Sequence, residues 1–195
     1  MSSAPGRKEL SHERIVDVAS RAIRRAGYRG VGLANLMKEA GLTHGGFYAH
    51  FASRDALLVE AMQRAGRDNH AALAAAIERL TAKGYTRFGA LVTAYLHDSA
   101  LDRIEEGCVV AALASEMTRE EDEVRAEARR RVGGMMDLVR SALPTGSDRG
   151  QAEVILATMV GALQLARTLG GKAGRDLLSA TRDALLERHD LHPNA

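Results

Sequence analysis

Cysteine is nearly absent from this chain, and its scarcity excludes one class of fold. Among 195 residues there is a single cysteine, Cys108, so no intramolecular disulfide can form. Small secreted domains that depend on disulfide bonds are therefore excluded, and a lone thiol is typical of a reducing compartment. We expect a cytoplasmic protein.

Long apolar runs are absent as well. The longest stretches, VVAALA and VILATMVGALQLA, are too short or too interrupted to predict a membrane span. The first ten residues, MSSAPGRKEL, contain no apolar core of a signal peptide. We therefore expect no membrane partner.

Sequence motifs of enzymes are also missing. The chain contains no His-Glu-x-x-His, no phosphate-binding loop, no Gly-x-Ser-x-Gly and no cysteine cluster. We predict that the protein is not an enzyme and that it uses neither a metal ion nor another cofactor.

A helical period of apolar residues runs through almost every segment, whereas the alternation typical of a half-buried strand is not found. One such stripe follows Ser11, a candidate helix cap, and consists of Ile15, Val18, Ala19, Ala22 and Ile23. Gly27, Gly41 and the stretches AKGY, PTGSDRG and GGKAG divide the pattern. The sequence predicts an all-α fold of nine helices.

Positive charge is concentrated in the first third of the chain. Residues 1–60 contain nine Lys/Arg and six Asp/Glu, a net charge of +3, whereas the remaining residues contain 18 and 19, a net charge of −1. A basic N-terminal region on a nearly neutral body indicates contact with a polyanion at one end.

The stretch LANLMKEAGLTHGGFYAHF contains two short helical segments joined by a glycine turn. This spacing is typical of a helix-turn-helix, whose second helix enters the major groove of DNA. Phe47 and Phe51 are predicted to pack inward against the first helix. His44 and Tyr48 lie on a face roughly 100° away and are free to meet a partner.

Two adjacent glycines, Gly45 and Gly46, open this second segment. Glycine costs a helix about 1 kcal/mol relative to alanine, so a segment that only had to be helical would not favour them. Without a Cβ atom, however, the backbone can approach DNA closely and its N–H groups can bind phosphate. Thr43, Tyr48 and His50 can add side-chain contacts to the DNA backbone.

The stretch GLTHGGFYAHFASRDALL, preceded by LANLMKEA, resembles the DNA-binding signature of the TetR family of bacterial transcriptional regulators. The resemblance covers about residues 11–62. It implies a three-helix DNA-binding domain at residues 1–56 and a helical ligand-binding and dimerisation domain at residues 57–195. Departures from the family pattern are Gly32, Ala49 and Ala52.

The resemblance also implies which residues contact DNA. Carried over position by position, they are Thr43, His44, Gly45, Gly46, Tyr48, His50 and Arg54. Arg54 takes the place of a basic residue that binds a phosphate at the start of the fourth helix. The expected partner is double-stranded operator DNA with a nearly palindromic site.

In the body of the protein, the resemblance implies a homodimer formed by the last two helices and a pocket for a small-molecule inducer. The stretch QAEVILATMVGALQLARTL is rich in apolar and small residues, as a dimer interface would require. The candidate pocket residues are apolar, polarizable or amphipathic: Tyr95, Cys108, Met117, Met135 and Met136.

The sequence therefore favours a ligand-responsive regulator, most simply a repressor that a small apolar inducer releases from DNA. Two alternatives stay open. Cys108 follows Glu105-Glu106-Gly107 near a predicted helix start and could act as a redox or electrophile sensor. The chain could also be a helical small-molecule carrier that does not bind DNA.

Overall fold

The computed structural model describes residues 6–148 and 150–190, and this part of the chain contains eight α-helices and no β-strand. The helices are α1 Arg7–Gly30, α2 Leu33–Glu39, α3 Arg54–Thr81, α4 Arg87–Tyr95, α5 Val109–Met117, α6 Asp122–Ala142, α7 Gln151–Leu169 and α8 Gly171–His189. Three 3₁₀ helices lie between them: His44–Ala49, Asp98–Ala100 and Ile104–Glu106. The predicted all-α class is confirmed. The nine predicted helices correspond to α1–α8 together with the 3₁₀ helix His44–Ala49.

Helix α1 begins earlier than the sequence pattern predicts. The predicted cap is Ser11, whereas the helix starts at Arg7, and the N–H of Gly6 donates to Glu9 Oε2 at 2.8 Å. A carboxylate in the first turn stabilises the free amides at a helix start, which allows the earlier beginning. The cap predicted for α3 is confirmed, because Ser53 Oγ accepts a hydrogen bond from the N–H of Ala56 at 3.0 Å.

Gly27 interrupts α1 with a φ of 73°, a left-handed conformation that glycine adopts at little cost. The regular helix therefore ends at Gly27, as predicted, and after this kink one short helical turn continues to Gly30. A Cβ atom at Gly27 would overlap the carboxylate of Glu116. Both the backbone and the packing therefore require glycine here.

The described chain divides into two packing units. Unit 1 comprises the residues up to Arg67 together with Glu105–Arg131, and unit 2 comprises Asp68–Ile104 and the residues from Val132 onward. Unit 1 therefore contains the predicted DNA-binding residues together with α5 and the first part of α6. The predicted domains, residues 1–56 and 57–195, divide the chain by function rather than by packing. This division stays a prediction.

In unit 1, α1 packs against α2 and α5. Arg24 of α1 is buried and donates to the carbonyl of Ser20 at 2.9 Å and to that of Gly107 at 3.1 Å. These bonds satisfy a charged group that burial would otherwise destabilise. The apolar core around it consists of Ile15, Ala19, Ile23, Leu36, Met37, Leu57, Met62 and Leu113.

In unit 2, α7 and α8 form the main helix pair and α4 packs on α8. The approach of α8 to α7 is close, because a Cβ atom at Gly174 would overlap the backbone carbonyl oxygen of Ala166. At the other end of α8, Asp190 accepts a hydrogen bond from the hydroxyl of Thr86, the cap of α4. The two contacts hold α8 against its neighbours at both ends.

Helix α7 is long and apolar enough to cross a membrane by length and composition, and 39% of its most apolar window is buried. The core helices of soluble proteins commonly meet the same criteria. Its exposed apolar residues include Val154, Leu165 and Leu169.

We expect Gly174→Ala to destabilise the protein by about 1–3 kcal/mol, because the added methyl group forces α7 and α8 apart. Unfolding in urea, followed by circular dichroism, measures the effect. Gly133→Ala is the matched control: a Cβ atom at this α6 position meets no atom within 4 Å. Replacing that helical glycine should stabilise the protein by about 0.5–1 kcal/mol. Equal effects of the two substitutions would contradict the close approach of α8 to α7.

Candidate nucleic-acid interface

The helix-turn-helix predicted from the sequence is present in unit 1. Helix α2 ends at Glu39, and the chain turns at Gly41 with a φ of 70°. The N–H of Gly41 donates to the carbonyl of Lys38 at 3.0 Å, and the N–H of Leu42 donates to the carbonyl of Met37 at 2.8 Å. These two bonds form a glycine C-cap that ends α2. The 3₁₀ helix His44–Ala49 begins three residues after Gly41.

Two phenylalanines attach this 3₁₀ helix to the core, as predicted. The side chains of Phe47 and Phe51 are 1% and 3% exposed, and their ring centroids lie 5.5 Å apart. Phe51 also stacks on the ring of His12 at 4.5 Å, and His12 Nε2 lies 2.7 Å from a carboxylate oxygen of Glu60. Side chains from α1 and α3 therefore pack against the buried side of this segment.

The opposite face of the 3₁₀ helix is open to solvent. Tyr48 is 71% exposed, with its ring edge-on to Phe47, and His44 and Gly45 are exposed beside it. Thr43 occupies the cap position, where its carbonyl accepts from the N–H of Gly46 at 3.0 Å. Its hydroxyl makes no capping bond and is therefore available to a partner.

His50 lies at the edge of this face and is half-buried. Its Nδ1 atom is shielded from solvent and has no hydrogen-bond partner among the described residues. Burial lowers the pKa of His50, and the neighbouring positive charges of His12 and Lys8 lower it further. At neutral pH this imidazole is therefore uncharged, and it can offer a hydrogen bond to DNA rather than a full charge.

Neither glycine at the start of the 3₁₀ helix is required by the fold. Gly45 and Gly46 are not among the residues with positive φ in the described chain. A Cβ atom at Gly45 would meet nothing within 4 Å, and one at Gly46 would lie 3.6 Å from Thr43 Oγ1, an ordinary contact. Since a side chain would fit at both positions, the reason for glycine lies outside the packing of this part of the chain.

Arg54 is engaged within unit 1. Its guanidinium donates to the carbonyl of Tyr28 and lies 3.8 Å from the carboxylate of Glu120, which is itself largely buried. The arginine side chain is 40% exposed, so one side of it still faces solvent. The structure therefore gives Arg54 an internal role that the sequence pattern does not reveal.

Tyr28, the partner of Arg54, is a buried residue that the sequence analysis missed. Its N–H donates to Glu116 Oε2 at 2.9 Å, and its hydroxyl donates to the sulfur of Met62 at 2.7 Å. Burial raises the pKa of Tyr28, and the carboxylates around it, Glu120 above all, raise it further. The phenol thus stays protonated. The sequence carries one hint of this site, a glycine directly before a tyrosine in a helix.

Two family models match the chain. The model described as "Bacterial regulatory proteins, tetR family" matches residues 15–61, and the model described as "Tetracyclin repressor-like, C-terminal domain" matches residues 84–181. The chain belongs to the TetR family.

Solved structures of the TetR family have the same fold. A regulator from Agrobacterium tumefaciens is 23% identical, with a TM-score of 0.72 and coverage of 93% of this chain and 98% of its own. One from Chloroflexus aurantiacus is 21% identical, with a TM-score of 0.75 and coverage of 93% and 96%. AibR, solved with isovaleryl coenzyme A and operator DNA, is 16% identical, with a TM-score of 0.64 and coverage of 92% and 97%. No curated protein sequence matches the chain.

The candidate pocket residues of this TetR-family chain are divided between the units. Cys108 and Met117 belong to unit 1, whereas Tyr95, Met135 and Met136 belong to unit 2. Four of the five are buried, and Met136 is half-buried. Within unit 2, the sulfur of Met135 lies 3.9 Å from the amide nitrogen of the buried Asn69.

A cleft in unit 2 has a different lining. It measures about 320 Å³ and lies between α3, α4 and α6, and its lining includes His70, Ile77, Arg87, Gly134 and Leu138. The predicted pocket residues do not line this cleft. The sequence pattern could not indicate it, because its residues come from three separate helices and share no motif.

We expect Arg54→Ala to lower the free energy of unfolding by about 1–2 kcal/mol, because it leaves the Tyr28 carbonyl and the Glu120 carboxylate without their donor. Urea unfolding of the purified protein measures this. Arg21→Ala is the control: Arg21 is exposed and, among the described residues, pairs only with Asp17 of its own helix, at 3.0 Å, so its loss should change stability by less than about 0.5 kcal/mol. A stability of Arg54→Ala equal to that of the control would contradict the internal role of Arg54.

Proposed function

We propose that this TetR-family chain is a ligand-responsive transcriptional regulator that binds double-stranded operator DNA through the open face of the 3₁₀ helix His44–Ala49. The observation that carries the proposal is the pair Gly45 and Gly46. Neither the backbone conformation nor the packing of the described chain requires glycine there. Close approach to a DNA backbone does require it, because a side chain would hold the segment away from the groove.

The proposed contacts follow from the exposed groups of this face. We propose that the N–H group of Gly45 and the hydroxyl of Thr43 bind phosphate at the start of the 3₁₀ helix, whereas the N–H of Gly46 is already bonded to the Thr43 carbonyl. His44 and Tyr48 are exposed and reach furthest toward a partner. His50 contributes a neutral imidazole at the edge.

Arg54 remains a proposed phosphate contact through the exposed side of its guanidinium. Its hydrogen bond to Tyr28 would hold that side in a fixed direction. A fixed guanidinium loses little side-chain entropy when it binds a phosphate.

We expect Gly46→Val to weaken operator binding by about tenfold or more, or ~1.4 kcal/mol, because the branched side chain separates the backbone from the phosphate. Its melting temperature should stay close to that of the wild type, since a Cβ atom at position 46 makes only ordinary contacts and valine has the better helix propensity. Genomic fragments selected on the wild-type protein supply the operator for gel-shift titrations.

Gly133→Val is the matched control, because this α6 glycine also has open space around it and lies in unit 2. It should bind the operator as the wild type does. If Gly46→Val lost its folded structure together with its DNA affinity, the glycine would be a packing requirement and the proposal would lose its main support.

A homodimer is the second part of the proposal, and an apolar stripe on α7 supports it. Val154, Leu165 and Leu169 are 64%, 60% and 58% exposed, and they recur at helical spacing along one side of the helix. On α8, which packs against α7, the exposed residues Ala173, Ala180 and Ala184 are small enough for close helix packing. Together they form a surface suited to a four-helix interface between two copies.

We expect Leu165→Asp to convert the dimer to a folded monomer, because a buried unpaired carboxylate strongly opposes association. Sedimentation velocity at micromolar concentration measures the change, with Tyr85→Asp, at a half-exposed residue outside this stripe, as the control. In the dimer, the 3₁₀ helices His44–Ala49 of the two protomers should lie about 34–36 Å apart, the spacing of two half-sites. A monomeric Leu165→Asp variant presents only one of them and should bind a palindromic site weakly. A wild-type protein that sediments as a monomer would refute the dimer.

The proposed regulation is release from DNA by a small, largely apolar inducer, which makes the protein a repressor. The buried side chains of Tyr95 and Met135 and the half-buried side chain of Met136 in unit 2 are the proposed contacts, and Asn69 can add a polar anchor. AibR was solved with an acyl coenzyme A and operator DNA, which supports a small-molecule ligand for a protein of this fold. An inducer must bind the DNA-free conformation more tightly than the DNA-bound conformation. The coupling free energy between inducer binding and operator binding should be about 1–3 kcal/mol.

The two alternatives receive less support. The thiol of Cys108 is 3% exposed, and redox-sensing cysteines are typically accessible, so the burial favours a packing role. A carrier without DNA binding gives no reason for an exposed Gly45 and a half-buried Gly46 beside the exposed Tyr48 in a helix-turn-helix.

A further inference from the structure

Many of the positive charges in unit 1 are already paired within the chain. Arg21 pairs with Asp17 at 3.0 Å, Arg25 with Glu105 at 2.8 Å, and Arg64 with Asp17 at 3.1 Å. Arg24 is buried, and Arg54 is bonded to Tyr28. A guanidinium that is already paired must give up its partner, or share it, before it can bind a phosphate.

Arg14 is different. It lies on the exposed side of α1, and its side chain makes no hydrogen bond or ion pair with residues 6–148 and 150–190. Its guanidinium lies close to the turn of the helix-turn-helix, because a Cβ atom at Gly41 would lie 3.7 Å from Arg14 Nη1. The guanidinium therefore stands beside the left-handed turn that leads to Thr43 and His44.

A guanidinium at this place is suited to bind a phosphate. It keeps its charge at all physiological pH values and offers several N–H donors in a fixed plane. Gly41 adds no side chain that could cover it. The nearest acidic neighbour in sequence, Glu13, is directed to Arg64 at 3.5 Å and leaves the charge of Arg14 uncompensated.

We propose that Arg14 of α1 binds a DNA phosphate beside the turn at Gly41, as a contact additional to those of the 3₁₀ helix. The inference rests on the proposed DNA-binding function and extends the interface to α1, which the sequence pattern does not indicate. The contact is independent of base sequence, so Arg14 contributes affinity and register rather than base recognition.

Non-specific duplex DNA tests the contact, because phosphate contacts dominate such binding and no operator is needed. A fluorescent duplex of about 30 base pairs, long enough for two half-sites, is titrated at several salt concentrations between about 50 and 200 mM. The slope of log K against log salt concentration counts the phosphates engaged. The variants are Arg14→Ala, Arg14→Lys and, as the matched control on the same helix, Arg21→Ala.

We expect Arg14→Ala to reduce the slope by about 0.9 and the affinity at 0.1 M salt roughly eightfold for each protomer that binds. Arg14→Lys should keep the slope, because the charge remains. Arg21→Ala should leave both quantities unchanged. All three should unfold at the same urea concentration as the wild type, since both arginines are exposed.

An unchanged slope in Arg14→Ala, with normal binding by the wild type, would overturn this inference and leave the proposed function intact. An equal loss in Arg21→Ala would overturn it too, because the effect would then report the net charge of α1. A wild-type protein that binds no duplex at all would overturn the proposed function, and the contact of Arg14 with it.

Discussion

The peptide groups of Gly27 and Tyr28 are the junction on which the rest of unit 1 depends. Glu116 at the end of α5 accepts the N–H of Tyr28, and Arg54 at the start of α3 donates to its carbonyl. Only a glycine at position 27 permits this, because a side chain there would occupy the space of the Glu116 carboxylate. One short stretch of backbone thus fixes the relative positions of α1, α3 and α5.

This junction has a consequence for the proposed DNA-binding face. The 3₁₀ helix His44–Ala49 has only six residues and could not hold a conformation by itself. It is held by Phe47 and Phe51, which pack on side chains of α1 and α3. Helix α1 is bonded to Glu116 through Tyr28, and α3 contacts Glu120 through Arg54. The segment Glu105–Arg131 therefore belongs to the same packing unit as the 3₁₀ helix.

Much of the fold was predictable because its signals are local. Apolar residues at helical spacing, the glycine turn at Gly41 and the cap at Ser53 each act over a few residues, so the helices and the helix-turn-helix follow from the sequence. The start of α1 was predicted wrongly at Ser11, since a glutamate in the first turn can stabilise a start without a hydroxyl cap. The inward packing of Phe47 and Phe51 was also predictable, because four-residue spacing puts both rings on one side.

The sequence by itself determined the helical class, the family and the open face of the 3₁₀ helix His44–Ala49, because each depends on residues close together in the chain. Only the tertiary structure decided which basic groups are paired within the described chain. Arg14 and Arg54 are both arginines of the basic N-terminal region. The side chain of Arg14 lies beside Gly41 with no partner among the described residues, whereas Arg54 is bonded to Tyr28 and faces Glu120. Ion pairing depends on distances between residues far apart in sequence, and those distances exist only when α1, α3 and α5 have packed together.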